Sequence, residues 1–121
     1  MPEITFKRGW VYEFLIRFEP DYQNERKKFG VCLQDDKIAK DWDAIMFART
    51  HSYKDAKLPV HYEWDVYVSP QDSNSEFGVK IVCNELLRIK KSKVCRMVYE
   101  LPRRKVEEMN AKLWWALGMQ P

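Results

Sequence analysis

Apolar residues along this chain recur mostly with a period of two, in short runs broken by polar clusters, and only the last twenty residues switch to a helical period. "WVYEFLIRF", Trp10 to Phe18, places Trp10, Tyr12, Phe14 and Ile16 on one face and reads as a first strand entered at Gly9. "PDYQNERKK" reads as a polar loop, since Pro20, Asp21 and Asn24 are turn formers followed by charge. "FGVCLQ" and "AIMFA" are two buried strands separated by the connection "DDKIAKDWD". "VHYEWDVYV", Val60 to Val68, alternates most cleanly: Val60, Tyr62, Trp64, Val66 and Val68 are expected on a buried face, His61, Glu63, Asp65 and Tyr67 on a wet one. After the loop "SPQDSNSEFG" come the strand "VKIVC", the stretch "LLRIKKSKV" that fits either a turn or a helical fragment, and a last strand "VCRMVYE".

Pro102 opens a helix carrying Val106, Met109, Leu113, Ala116 and Leu117 as its apolar stripe, with Gly118 placed to stop it. Trp114 and Trp115 cannot both follow that stripe. One is expected in the core and the other on a dimer contact. About six strands and one terminal amphipathic helix predict a mainly β protein: a single domain over residues 1–121, built as a curved sheet or small barrel plugged by the helix.

Composition changes this picture little. The chain's 121 residues, 45% hydrophobic and 14% aromatic, can close one core. No run of about 18 apolar residues occurs and "MPEITFKRG" lacks the apolar middle of a secretion signal, so a cytoplasmic protein with no membrane partner is expected. Cys32, Cys83 and Cys95 are an odd set without C-x-x-C spacing, which argues against a disulfide framework or a structural zinc. Charge is uneven. From Glu85 onward 9 Lys and Arg face 4 Asp and Glu, leaving 12 against 14 in the remainder, a split compatible with a polyanion partner. Arg88, Lys90, Lys91 and Lys93 read as a solvated edge.

"KRGWVYEF" at Lys7, "KFGVCLQDD" at Lys28, "AIMFART" ending at Thr50, "AKLPVHYEWD" at Ala56 and "IKKSKV…KVEEMNAKLWWALGM" fall in the order and spacing of the MazF/PemK toxin family, which the chain resembles from about Phe6 to Met119. The resemblance implies an SH3-like barrel with a C-terminal helix (MazF/PemK/CcdB-type). It also implies a homodimer that cuts single-stranded RNA without a metal or cofactor, and a cognate antitoxin whose disordered tail lies along the dimer. The family's threonine at the end of the third strand is matched by Thr50. Its arginine in an Arg-Pro pair falls on Lys28, followed by Phe29; its Gly-Asp pair is here Gly9-Trp10, and its Asp/Glu-Gln-Ile segment is Asn84-Glu85-Leu86.

These positions set the candidate chemistry. Metal-free RNA cleavage needs a base for the 2′-OH, an acid for the leaving 5′-oxygen and a cation on the phosphoryl oxygens. Lys28 supplies one compact charge where arginine supplies a fork, and Arg26 on the same segment can supply that fork instead. Thr50 would donate to the phosphate. His51 is an acid or base candidate and shares Thr50's pocket only if the strand has already ended. Arg49, Lys54, Lys57 and His61 are supporting contacts to RNA. Two other readings compete: a barrel that binds a protein or nucleic acid without cutting, which the departures at Lys28 and Phe29 favour, and a poison of a DNA-processing enzyme on the CcdB side of the fold group, acting through the C-terminal helix.

Overall fold

A computed structural model describes residues 4–18, 21–53 and 62–119. Its strands are β1 (Trp10–Phe18), β2 (Asp21–Cys32), β3 (Ala44–Ser52), β4 (Asp65–Val68), β5 (Val79–Lys90) and β6 (Val94–Glu100); its helices are α1 (Asp36–Ala39), α2 (Pro70–Ser73) and α3 (Arg103–Ala116). The strands form one antiparallel sheet in the order β4-β5-β3-β2-β1-β6. The mainly β architecture with a terminal helix is the one the sequence predicts. Among the described residues β4 and β6 are the open edges of the sheet.

Both faces of this sheet are buried, which explains why several strands read as apolar runs rather than clean alternation. On one face Val11, Val31, Ala48, Ile81 and Cys83 pack with Val66 and Val68 against Met109 and Leu113 of α3. On the other, Tyr12, Phe14, Ile45 and Phe47 pack with Phe6, Ile89 and Val94. Gly78, at φ +88, turns the chain into β5 where a Cβ would stand 2.7 Å from the Val68 carbonyl oxygen. Asp35 caps α1 by accepting from the Ile38 N–H at 3.1 Å.

Several expectations need correction. "PDYQNERKK" is not a loop: from Asp21 it is the first half of β2, paired with β1 through Leu15↔Lys27, Ile16↔Arg26 and Phe18↔Asp21. Ladder hydrogen bonds to an apolar partner strand outweigh its low β propensity. The strand expected over Val60–Val68 is only Asp65–Val68, with Glu63 and Trp64 in a turn and Val60 and His61 outside the described residues. Asp65, expected in water, is fully buried, while Tyr62, expected inside, is exposed. "LLRIKKSKV" is neither turn nor helix at its start, because β5 runs to Lys90 before a 3₁₀ turn at Lys91–Lys93. The helix stripe holds for Met109 and Leu113 but fails at Leu117, which is 56% exposed. Neither Trp114 nor Trp115 lies in the core; they are 50% and 47% exposed. The basic edge is partly spent internally: Arg88 meets Asp43 at 3.4 Å, Lys91 donates to the Ala39 carbonyl at 2.8 Å, and Lys93 pairs with Glu25.

Cys32 and Cys83 are buried and Cys95 is exposed. Burial pushes the Cys32 thiol up to about 11 and the Cys83 thiol up to about 12. One thiol in the native protein is therefore expected to react rapidly with a disulfide reagent at mildly alkaline pH, the other two only on unfolding. A Cys95→Ser form should lose the fast phase. Both buried thiols hold their protons in the folded state beyond the pH at which unfolded thiols release them. The stability they contribute is therefore full below the ordinary thiol range and is lost as pH rises through the folded-state values. Among the described residues no helix is long and apolar enough to cross a membrane.

Candidate functional site

The site begins where two strands part. The β2–β3 ladder runs from Cys32↔Phe47 to Phe29↔Thr50 and stops there. Beyond this last pair β2 continues with β1 alone, while β3 continues with β5 through Thr50↔Ile81, His51↔Lys80 and Ser52↔Val79. Thr50 sits at the fork, and Lys28 and His51 are the first residues past it on either arm.

Alternation then sorts the side chains. Thr50, buried, takes the face of its partners Phe29 and Ile81. Lys28, partnered by Phe14, takes the other face, as does Gly30 with its partner Arg49, and so does His51. The pair expected to act together, Thr50 and Lys28, is therefore one step out of register and flanks the fork from opposite faces. The strand does not end at Thr50, so His51 shares a face with Lys28 and Arg49 instead. Arg26, two residues before Lys28 on β2, lies exposed on that same face. Lys54, Lys57 and His61 lie outside the described residues.

A register break in β5 supplies the residue that sequence reasoning left without a role. Ala48 pairs with Leu86 but Thr50 pairs with Ile81, so the stretch Ile81 to Leu86 of β5 spans only Ala48 to Thr50 of β3. This bulge re-aims Glu85 at its neighbour strand. Its Oε2 accepts from Arg49 Nη1 at 2.8 Å and its Oε1 lies 3.0 Å from His51 Nε2. Burial pushes the Glu85 carboxyl up, but the hydrogen bonds and charge of His51 and Arg49 together bring it below the usual carboxylate range. An ionised carboxylate only accepts, so Nε2 of His51 donates to it, and in the tautomer that keeps this bond Nδ1 is the nitrogen able to take a proton. Arg49, His51 and Glu85 thus form one hydrogen-bonded unit beside the fork. The signal for Glu85 was the one carboxylate in β5, but the bulge that aims it leaves no mark in the sequence. Among the described residues no group of three or more His, Cys, Asp or Glu side chains is placed to hold a metal ion.

No protein-family model matches the chain, and no curated protein matches it by sequence. Solved structures do match it in fold. A chain of the MazE–MazF complex from Deinococcus radiodurans superposes with a TM-score of 0.74 at 15% identity, covering 94% of this chain and 96% of that one. An endoribonuclease from a mycobacterial species, in complex with its cognate antitoxin, gives 0.72 at 16% identity with the same coverage of 94% and 96%. MazF alone from Deinococcus radiodurans gives 0.71 at 17%, covering 95% and 98%. The expected MazF-type fold is the one this chain adopts, along nearly its whole length.

Proposed function

We propose that this chain is the toxin of a type II toxin-antitoxin system, a metal-independent endoribonuclease that cuts single-stranded RNA through the ribose 2′-OH. The observation that carries the reading is the unit beside the fork: an imidazole held by a carboxylate that also pairs with Arg49, on the strand face that Lys28 shares and opposite the face of Thr50. It is supported by the likeness over most of the chain to solved proteins described as endoribonucleases. A second copy of the chain and an antitoxin are the proposed protein partners.

In this reading the scissile phosphodiester lies in the crotch of the fork. Nδ1 of His51 takes the 2′-OH proton, and the freed oxygen attacks the adjacent phosphorus. Lys28 stabilises the charge on the phosphoryl oxygens, water gives a proton to the departing 5′-oxygen, which leaves as an alcohol, and His51 then returns the 2′-OH proton to the hydroxide left behind. The products are a 2′,3′-cyclic phosphate and a 5′-hydroxyl. Thr50 donates to a phosphoryl oxygen from the opposite face, and Arg26 extends the positive track along β2.

The test is incubation of the purified protein with a long single-stranded RNA in EDTA, beside Thr50→Ala and Lys28→Ala forms. Site-selective cuts ending in cyclic phosphate are expected, with about 100-fold slower cutting in either variant. Lys28→Arg is expected to speed cutting, because a guanidinium fork meets two oxygens at once. The out-of-register placement of Thr50 and Lys28 favours a second reading, a barrel of this fold that binds RNA or protein without cutting. Intact RNA with binding retained would establish it.

A further inference from the structure

Beside the fork lies a pocket of about 350 Å³ lined by Tyr62, Trp64, Asp65, Lys80, His51 and Glu85. Its floor holds an anomaly. Asp65 is fully buried; its Oδ2 accepts from the Tyr62 N–H at 2.9 Å and from Lys80 Nζ at 3.3 Å, yet its Oδ1 has no hydrogen-bond partner among the described residues. A buried carboxylate oxygen without a donor is costly, and such groups in native proteins call for an explanation. The walls are flat and apolar. Tyr62 and Trp64 stack at 4.8 Å between centroids and 7° between planes, and Trp64 continues the stack to Trp115 at 6.3 Å and 18°. Lys80 Nζ stands 5.6 Å from the Tyr62 ring centre.

The charge of the lining narrows the ligand. Asp65 is answered by Lys80 and Glu85 by Arg49, so neither a free anion nor a free cation gains by entering. A neutral, planar group bearing N–H donors beside an acceptor does gain: the rings stack it, Asp65 Oδ1 receives a donor, and Lys80 meets the acceptor. Nucleobases have that description, and single-stranded RNA is read in this way, by stacking and through the Watson–Crick edge. With two carboxylates and one ammonium in the lining, the best match is the edge with two adjacent N–H donors next to a carbonyl oxygen, which is guanine's. His51 and Glu85 belong to both pocket and fork, so the base held here sits next to the reacting phosphate.

We propose that the Asp65 pocket is a guanine-binding subsite that selects the nucleotide flanking the cut. The proposal rests on the endoribonuclease reading for its biological meaning, but its test does not need cleavage. Titrate the full chain with 5′-GMP, 5′-IMP, 5′-AMP, 5′-CMP and 5′-UMP, following tryptophan fluorescence. GMP is expected to bind about tenfold more tightly than AMP, CMP or UMP, with IMP, which lacks the 2-amino group, between them. Asp65→Asn should erase that preference. Should Asp65→Asn fail to fold, Tyr62→Ala, at an exposed ring, is expected to weaken all five about tenfold while keeping their order. Equal binding of all five nucleotides, no binding of GMP at millimolar concentration, or quenching by an arginine-rich peptide in place of GMP would each overturn the subsite. RNA cut without GMP selectivity leaves the nuclease reading standing and removes the subsite. GMP selectivity with uncut RNA does the reverse.

Discussion

Replacing Glu85 with alanine is expected to slow RNA cutting about 100-fold and to destabilise the fold by about 2 kcal/mol. Both effects come from one carboxylate. Arg49, mostly buried, loses the carboxylate held at 2.8 Å, and a guanidinium out of water without that counter-charge is the larger part of the stability loss. The figure is set below that for a fully buried pair because Glu85 is itself about a third exposed. His51 loses the acceptor that fixes which ring nitrogen carries the proton, so the proton is no longer confined to Nε2. Glu85→Gln separates the two effects. It keeps volume and one acceptor oxygen, so it should recover part of the stability while cutting remains slow. Urea unfolding and initial cleavage rates on the same preparations measure the pair, and normal cutting by Glu85→Ala would remove His51 and Glu85 from the proposed chemistry.

The acid limb gives an independent reading of the same contact. Since the folded-state Glu85 carboxyl lies below the usual carboxylate range, the unfolded chain takes up this proton first as pH falls. Its contribution to stability is thus full above that range and is lost as pH drops through the folded-state value. The stability gap between the parent protein and Glu85→Ala should narrow as pH falls through and below the ordinary carboxylate range. A gap that stays constant would mean the carboxylate's charge is not what the site uses.

Phe47→Ala is expected to cost about 4 kcal/mol, the largest stability loss from any one substitution proposed for this chain. Phe47 is fully buried on β3, with its ring centre 5.1 Å from Phe14 and 5.9 Å, edge-on, from Tyr12. Its loss leaves a cavity that rings held by neighbouring strands cannot collapse to fill. Gly30 shows how tightly the region is packed: a Cβ there would stand 3.0 Å from both the Phe14 ring and Phe47 Cβ. The consequence for the site is direct, because Gly30 pairs with Arg49 and Phe29 with Thr50. Loosening this cluster should widen the fork, so cutting should fall in Phe47→Ala even at temperatures where the variant remains folded. Thermal unfolding with parallel cleavage assays checks both parts; a destabilised but fully active variant would show that the aromatic cluster does not position the fork.

Alternation and helical periodicity were enough to read β1, β6 and α3 from the residues, since each repeats its apolar positions against a single kind of neighbour. Thr50 was singled out by its place in a recognisable order of motifs, although β3 runs past it to Ser52. The apolar runs of β3, of the second half of β2 and of the start of β5 were read correctly as well, whereas polar segments that become strand or core only through their partners were not. Asp21–Lys28 has loop composition and becomes strand only because β1 is there to pair with it. Asp65 alternates as a surface residue and is buried because Lys80 and the Tyr62 N–H answer one of its oxygens. The site depends on the same kind of information. Whether Lys28 shares the face of His51 or that of Thr50 turns on a register of one residue, and whether Glu85 reaches Arg49 and His51 turns on a bulge in β5, and both arise from pairing between segments distant in sequence. Short-range preference chose most of the strands and named the candidate residue types; long-range hydrogen-bond register decided which of them share a face, because a shift of one residue in a pleated strand reverses every side chain on it.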